Sequence, residues 1–262
     1  MTYLISEINR ERQKLLAKVL APAMDRLLSV LQLPQDLRCL DLGCGIGETT
    51  RHLARKLDSP RKVIGVELNT DLVEAARGFS SGLENRVSFE QGDAARLQFA
   101  DNSFDFVFGR YLLMHLPEPE AVLKEMLRVC RSGGVVAVQE PDFSFQRCYP
   151  DSWAYERLPD LLGRLFPDAF LGPKLWLLFQ KLGYSSSNVL VDSVVEVNQS
   201  DLKRLYRLSV EAMEKAVIEK SICSESDFER LRAELQRVEN EQNILCVSNY
   251  VFSTWVVKGK VV

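Results

Sequence analysis

The stretch Leu37-Arg-Cys-Leu-Asp-Leu-Gly-Cys-Gly-Ile-Gly47 constrains this chain more than any other. A short apolar run stops at three glycines on alternate positions, and a helix is expected to open near Ile46 or Glu48. Glycine lacks a side chain, so a ligand can press against the backbone, and the left-handed conformations of a sharp turn are open to it. The first N–H groups of the following helix point back over the turn. Gly43, Gly45 and Gly47 exceed what a simple strand-to-helix turn requires. A dinucleotide fingerprint needs Gly-x-Gly-x-x-Gly, and here its third glycine position holds Glu48. A carboxylate is a poor neighbour for a pyrophosphate. Asp41, at the end of the apolar run, places a second carboxylate at the same turn. The loop therefore suits a ligand that carries positive charge and no phosphate.

The remaining sequence sets the frame. Its 262 residues suffice for one large α/β domain or two small ones. A net charge of −3 argues against a broad nucleic-acid-binding face, which needs a clustered basic excess. No apolar run reaches membrane-spanning length, and the N-terminus has neither the basic start nor the apolar core of a secretory signal. The six cysteines form no Cys-x-x-Cys pair and are expected as reduced thiols of a cytoplasmic protein. With His52 and His115 the only histidines, a histidine-based metal site is not expected.

Along the chain, apolar residues at helical spacing predict a helix over residues 6–32, kinked or restarted at Pro22. From residue 37 to 140, short apolar strands alternate with amphipathic helices. The predicted strands are Leu37–Leu42, Lys62–Glu67, Arg86–Glu90, Ser103–Arg110 and Val135–Gln139, the last following an Arg131-Ser-Gly-Gly134 turn. This rhythm predicts a parallel sheet with helices on both faces. Ligands of such sheets bind outside the carboxyl ends of the strands. Glu67 lies there, where an acid can accept two hydrogen bonds from ribose hydroxyls. Asp93 ends the third strand and can accept from an adenine amino group, with Ala94 supplying a backbone N–H. Arg110 and Glu140 close the fourth and fifth strands. After residue 140 the pattern changes: short helices broken by Pro159, Pro167 and Pro173, a sixth strand Asn188–Val197, helices over Ser200–Lys220 and after a Ser224 cap, and a final strand Ile244–Val257.

Leu40-Asp-Leu-Gly-Cys-Gly-Ile-Gly47, Val63-Ile-Gly-Val-Glu67, Gly92-Asp-Ala94 and Glu140 before Pro141 together resemble the class I S-adenosylmethionine-dependent methyltransferases. The likeness covers roughly residues 35–142. Arg110-Tyr-Leu-Leu-Met-His-Leu-Pro-Glu-Pro119 looks like small-molecule members from secondary metabolism. The resemblance implies a Rossmann-like seven-stranded sheet, mostly parallel with an antiparallel last strand. It implies that Asp41, Gly43, Gly45 and Gly47 form the wall under the methionine part of S-adenosylmethionine, that Glu67 and its neighbour Leu68 meet the ribose end, that Asp93 and Ala94 hold adenine, and that Arg110 lines the methionine end. The product would be S-adenosylhomocysteine. Residues 1–34 are expected as a helical extension of a methyltransferase domain at 35–262, whose insertions at about 148–183 and 200–242 form a substrate cap.

A methyl on sulfonium is already activated, so the protein must hold a small-molecule acceptor in line and exclude water, which can supply about 7–11 kcal/mol. A base is needed only where the acceptor loses a proton; His115 and Glu140 are the candidates. Tyr3, Tyr111, Phe143, Phe145, Trp153 and Trp176 are candidates for an apolar acceptor wall. Two other readings remain open at this point. One is an NAD(P)-dependent oxidoreductase, which Glu48 disfavours; the other is a cofactor-binding regulatory subunit without activity.

Overall fold

A computed structural model describes residues 6–57, 61–198 and 201–259. In chain order the elements are α1 (Glu7–Val30), β1 (Cys39–Leu42), α2 (Glu48–Lys56), β2 (Val63–Glu67), α3 (Thr70–Gly78), β3 (Val87–Gln91), β4 (Phe104–Arg110), α4 (Pro119–Val129), β5 (Cys130–Asp142), β6 (Arg147–Tyr149), α5 (Trp153–Leu165), α6 (Leu175–Lys181), β7 (Asn188–Asp192), β8 (Val195–Val197), α7 (Asp201–Glu219), α8 (Glu225–Asn240), β9 (Leu245–Val247) and β10 (Tyr250–Val257). Tyr3 and Ser200 lie outside the described residues.

Strands with no polar alternation must be covered on both faces, and β1 is buried at every position. It sits inside a seven-stranded sheet of order β3-β2-β1-β4-β5-β10-β7, one place from the central β4. β1 pairs in parallel with β2 and β4, while β10 runs antiparallel to both β5 and β7. Leu42 lies beside Val66 and Gly109, Glu67 beside Gln91, and Arg110 beside Gln139. This register brings the carboxyl ends of β1 to β5 to one rim. One apolar core, with Met24, Leu27, Leu53 and Phe106, fills the α1–α2–α3 side. Another, with Leu123, Met126, Leu175 and Phe179, fills the α4–α6 side. A third joins α1 to α5, α7 and α8.

The seven-stranded, mostly parallel sheet with an antiparallel last strand matches the expectation, and several local expectations need correction. Residues 131–134 are not a turn before a separate strand. They are a bulge inside β5, where pairing jumps from Phe104–Cys130 to Phe106–Val135 and Gly133 N donates to Lys258 O at 2.8 Å. Asn188–Val197 is two strands in two sheets, and 244–257 likewise divides at Ser248–Asn249. The pieces β8 and β9 join β6 in a three-stranded sheet of order β6-β9-β8. Side chains cause the division: Val194 N donates to Ser248 Oγ instead of to a strand partner. Pro159 does not break α5, because Ala154, Tyr155, Leu158, Leu161, Leu162 and Leu165 bury one face along its whole length. α1 likewise continues through Pro22.

Candidate active site

The glycine loop is held from three directions. Gly43, Gly45 and Gly47 have φ of 67°, 55° and 83°, the left-handed region that a Cβ disfavours. From below, Asp41 is buried at the end of β1 and accepts from Thr50 Oγ1 at 2.6 Å, which ties the strand to the first turn of α2. Burial pushes this carboxyl up to about 7; the Thr50 bond and the Arg110 charge oppose the rise. The buried Arg51 guanidinium donates to Ile46 O at 2.9 Å and to Ala76 O at 3.3 Å, and pairs with Glu48 at 2.8 Å. From the neighbouring strand, Glu67 Oε2 accepts from Gly45 N at 3.1 Å and Oε1 from Asn69 N at 3.1 Å. From outside the sheet, Gln13 Oε1 of α1 accepts from Ile46 N at 3.2 Å.

The next strand ends complete the rim. Gly92 N donates to Glu67 O at 3.0 Å, which sets Asp93 beside β2. Asp93 Oδ1 accepts from Ala95 N at 2.9 Å; Oδ2 accepts no bond among the described residues. Leu68 leaves 65% of its surface exposed next to Glu67, an apolar face open to a flat ring. Ala94 packs at the edge of the α4-side core.

Arg110 decides what this rim can hold. Its guanidinium is half-buried, and its one hydrogen bond among the described residues goes to Met24 Sδ at 4.0 Å. Burial lowers its pKa, while the charges of Asp41, Tyr111 and Glu48 raise it. A desolvated guanidinium with no carboxylate in contact is costly, and a ligand carboxylate relieves that cost.

Beyond Arg110 the chain turns sharply. Tyr111 has φ 53° and its N donates to Gln139 O at 2.8 Å. Glu140 is fully buried and takes Leu112 N and Leu113 N at 2.9 and 2.8 Å on Oε1 and Met114 N at 3.3 Å on Oε2. Burial raises it to about 7, against those three bonds. Its carboxylate anchors the segment 112–114. His115 closes that segment, with its ring edge-on to Phe166 at 4.9 Å. It keeps exposed surface, yet the surrounding protein and then the Arg12 charge lower its pKa to about 4, as for a side chain in the wall of a recess. Tyr111 lies edge-on to Phe143 at 6.3 Å, and Asn249 Nδ2 donates to its hydroxyl at 3.1 Å. Tyr206 of α7 donates to Asn249 Oδ1 at 3.2 Å, so the helical layer is bonded to the strand-end rim.

The other aromatic candidates lie elsewhere. Phe145 stacks on Tyr250, Trp153 carries Arg230 and Arg157 over its ring between α5 and α8, and Trp176 is 41% exposed on α6. Sequence reasoning missed Gln13, Thr50 and Arg51. For Gln13 a signal existed: it continues the apolar stripe Leu16, Leu20, Met24, Leu27 at helical spacing, a polar residue on a buried face.

Residues 40–138 match the family described as a methyltransferase domain. Over this stretch the chain is similar to methyltransferase domains. It is 38% identical over 116 residues to methyltransferase GfsG of Streptomyces halstedii, covering 44% of this chain and 42% of that protein. It is 35% identical over 122 residues to ajmaline N-methyltransferase of Rauvolfia serpentina, covering 44% of this chain and 41% of that one. The chain thus spans about two fifths of the length of these relatives. Its fold is that of phosphoethanolamine N-methyltransferase 2 from Haemonchus contortus, solved with S-adenosyl-L-methionine. The TM-score is 0.55 at 22% identity, over 90% of this chain and 52% of that one. Among the described residues, no helix is long and apolar enough to cross a membrane.

Proposed function

We propose that the protein is an S-adenosylmethionine-dependent methyltransferase acting on a small-molecule acceptor. The observation that carries this reading is Arg110, a half-buried guanidinium without a carboxylate in contact, on the same rim as the glycine loop and Glu67. When bound, S-adenosylmethionine supplies a methyl group already activated by its positively charged sulfur. Arg110 holds the methionine carboxylate. Gly43, Gly45 and Gly47 let the ligand lie against backbone. Each Glu67 oxygen takes one backbone N–H and keeps a lone pair for a ribose hydroxyl. Asp93 and Ala94 meet adenine, and Leu68 covers its face. The Glu67 carboxylate beside the loop favours a cationic ligand over a pyrophosphate.

The acceptor side is built from Tyr111, His115, Phe143 and Phe166. This wall holds the acceptor and excludes water, so positioning carries the reaction. His115 is neutral well below pH 7 and serves as proton acceptor where the acceptor must lose one. α7 and α8 are the cap over this end, bonded to it through Tyr206 and Asn249, and α1 forms a helical extension of the domain. The cysteines are free and mostly buried, which supports our assignment of the protein to the cytoplasm. Thermal shift tests the reading: S-adenosylhomocysteine raises the melting midpoint and NADH does not. A shift with NADH alone rejects it.

A further inference from the structure

Gln13 stands outside the sheet, on a helix that nothing in the glycine motif requires. Its Oε1 nevertheless accepts from Ile46 N at 3.2 Å, in the middle of the loop. A Cβ on Gly45 would lie 2.5 Å from that oxygen, closer than two such atoms approach. A side chain at 45 would have to displace the end of Gln13. Gly45 N turns to Glu67 and Ile46 N turns to Gln13, so consecutive N–H groups are held from opposite sides. α1 is itself braced. Lys18 and Glu11 pair with Asp201 and Arg204 of α7, Arg26 pairs with Asp192 of β7 at 2.7 Å, and Lys14 Nζ lies 4.9 Å over the Phe79 ring after α3. The neighbouring Arg12 is near enough for its charge to reach His115.

We infer that Gln13 is a positioning residue, which fixes the glycine loop in its ligand-binding shape through the Ile46 N–H and makes α1 part of the cofactor site. This rests on the cofactor reading above. Without Gln13, Ile46 N loses its acceptor and the loop must be ordered by the ligand itself, so affinity falls. A glutamate at 13 keeps the acceptor oxygen and adds a negative charge at the glycine loop. It favours S-adenosylmethionine, with its sulfonium charge, over S-adenosylhomocysteine, whose sulfur is neutral, a change that mere repair of packing does not produce.

Calorimetry of the full chain with both nucleosides tests this. The wild type binds both; Gln13→Ala binds each about fivefold or more weakly, the effect of one neutral hydrogen bond. Gln13→Glu regains S-adenosylmethionine affinity and raises its preference over S-adenosylhomocysteine above that of the wild type. Wild-type affinity in Gln13→Ala overturns the inference, as does a Gln13→Glu protein as weak as the alanine variant. A wild type that binds neither nucleoside overturns the cofactor reading instead.

Discussion

Two regions of this molecule bury polar groups in different ways. Along the rim of β1 to β5, buried and partly buried ionisable groups are organised around the backbone. Asp41, Arg51, Glu67 and Glu140 each hold N–H groups, carbonyls or a hydroxyl of the loops that follow the strands. In the layer formed by α5, α7, α8 and the three-stranded sheet, the interior is aliphatic and aromatic, with Tyr155, Leu158, Leu205, Phe228 and Leu235 at its centre. The first arrangement fixes loop shape to fractions of an ångström. The second fixes a volume. That is the division of labour expected where one ligand is invariant and the other differs between proteins of the same fold.

The contrast makes matched predictions. Gly47 and Gly183 both have positive φ, of 83° and 88°, one on the rim and one at the end of α6. A Cβ at Gly47 would lie 2.6 Å from the Phe89 ring, whereas Gly183 has nothing within 4 Å. Gly47→Ala is expected to cost about 3 kcal/mol of stability or to abolish folding, and Gly183→Ala only about 1–2 kcal/mol, the backbone strain alone. Equal losses in urea titrations would mean that close packing of the loop adds nothing.

Glu67→Ala comes next. It removes acceptors for Gly45 N and Asn69 N and for the proposed ribose hydroxyls, and is expected to weaken nucleoside binding by about 1–3 kcal/mol in calorimetry. Asn249→Ala probes the other region. It cuts the link between Tyr111 and Tyr206, and is expected to cost about 1 kcal/mol of stability while leaving nucleoside affinity unchanged. A fall in nucleoside affinity as large as that of Glu67→Ala would erase the distinction between rim and cap.

The smallest effect is one of pH. Asp41 titrates at about 7 in the folded chain and near 4 when unfolded. Between those values the folded state keeps a proton that the unfolded state has released, so this group's contribution is full below about pH 4 and declines as pH rises to 7. Asp41→Asn keeps an oxygen for the Thr50 hydroxyl and removes that decline. Denaturation curves at pH 5 and pH 7 should differ less in the variant than in the wild type.

The rim was legible in the sequence because its signals are local. An apolar run, a glycine and an acid adjoin one another in Leu40–Gly47, Val63–Glu67 and Gly92–Ala94. The cap was legible only as helices. β6, β8 and β9 are three residues each, too short for a periodic signal, and they exist because the long antiparallel ribbon bends at Ser193–Val194 against Ser248–Asn249. Glu140 shows another limit. A carboxylate at a strand end gives no sign in the sequence of the three backbone N–H groups that the turn at Tyr111 brings to it. Gln13 acts across 33 positions, and its place on an apolar stripe marked it as unusual without naming its partner.

A crystal structure of the chain with S-adenosylhomocysteine tests the central claim most directly. The account predicts the nucleoside against Gly43–Gly47, its carboxylate on Arg110 and its ribose on Glu67. Density for it in any other place, or Arg110 still turned to Met24 beside an empty loop, would contradict it.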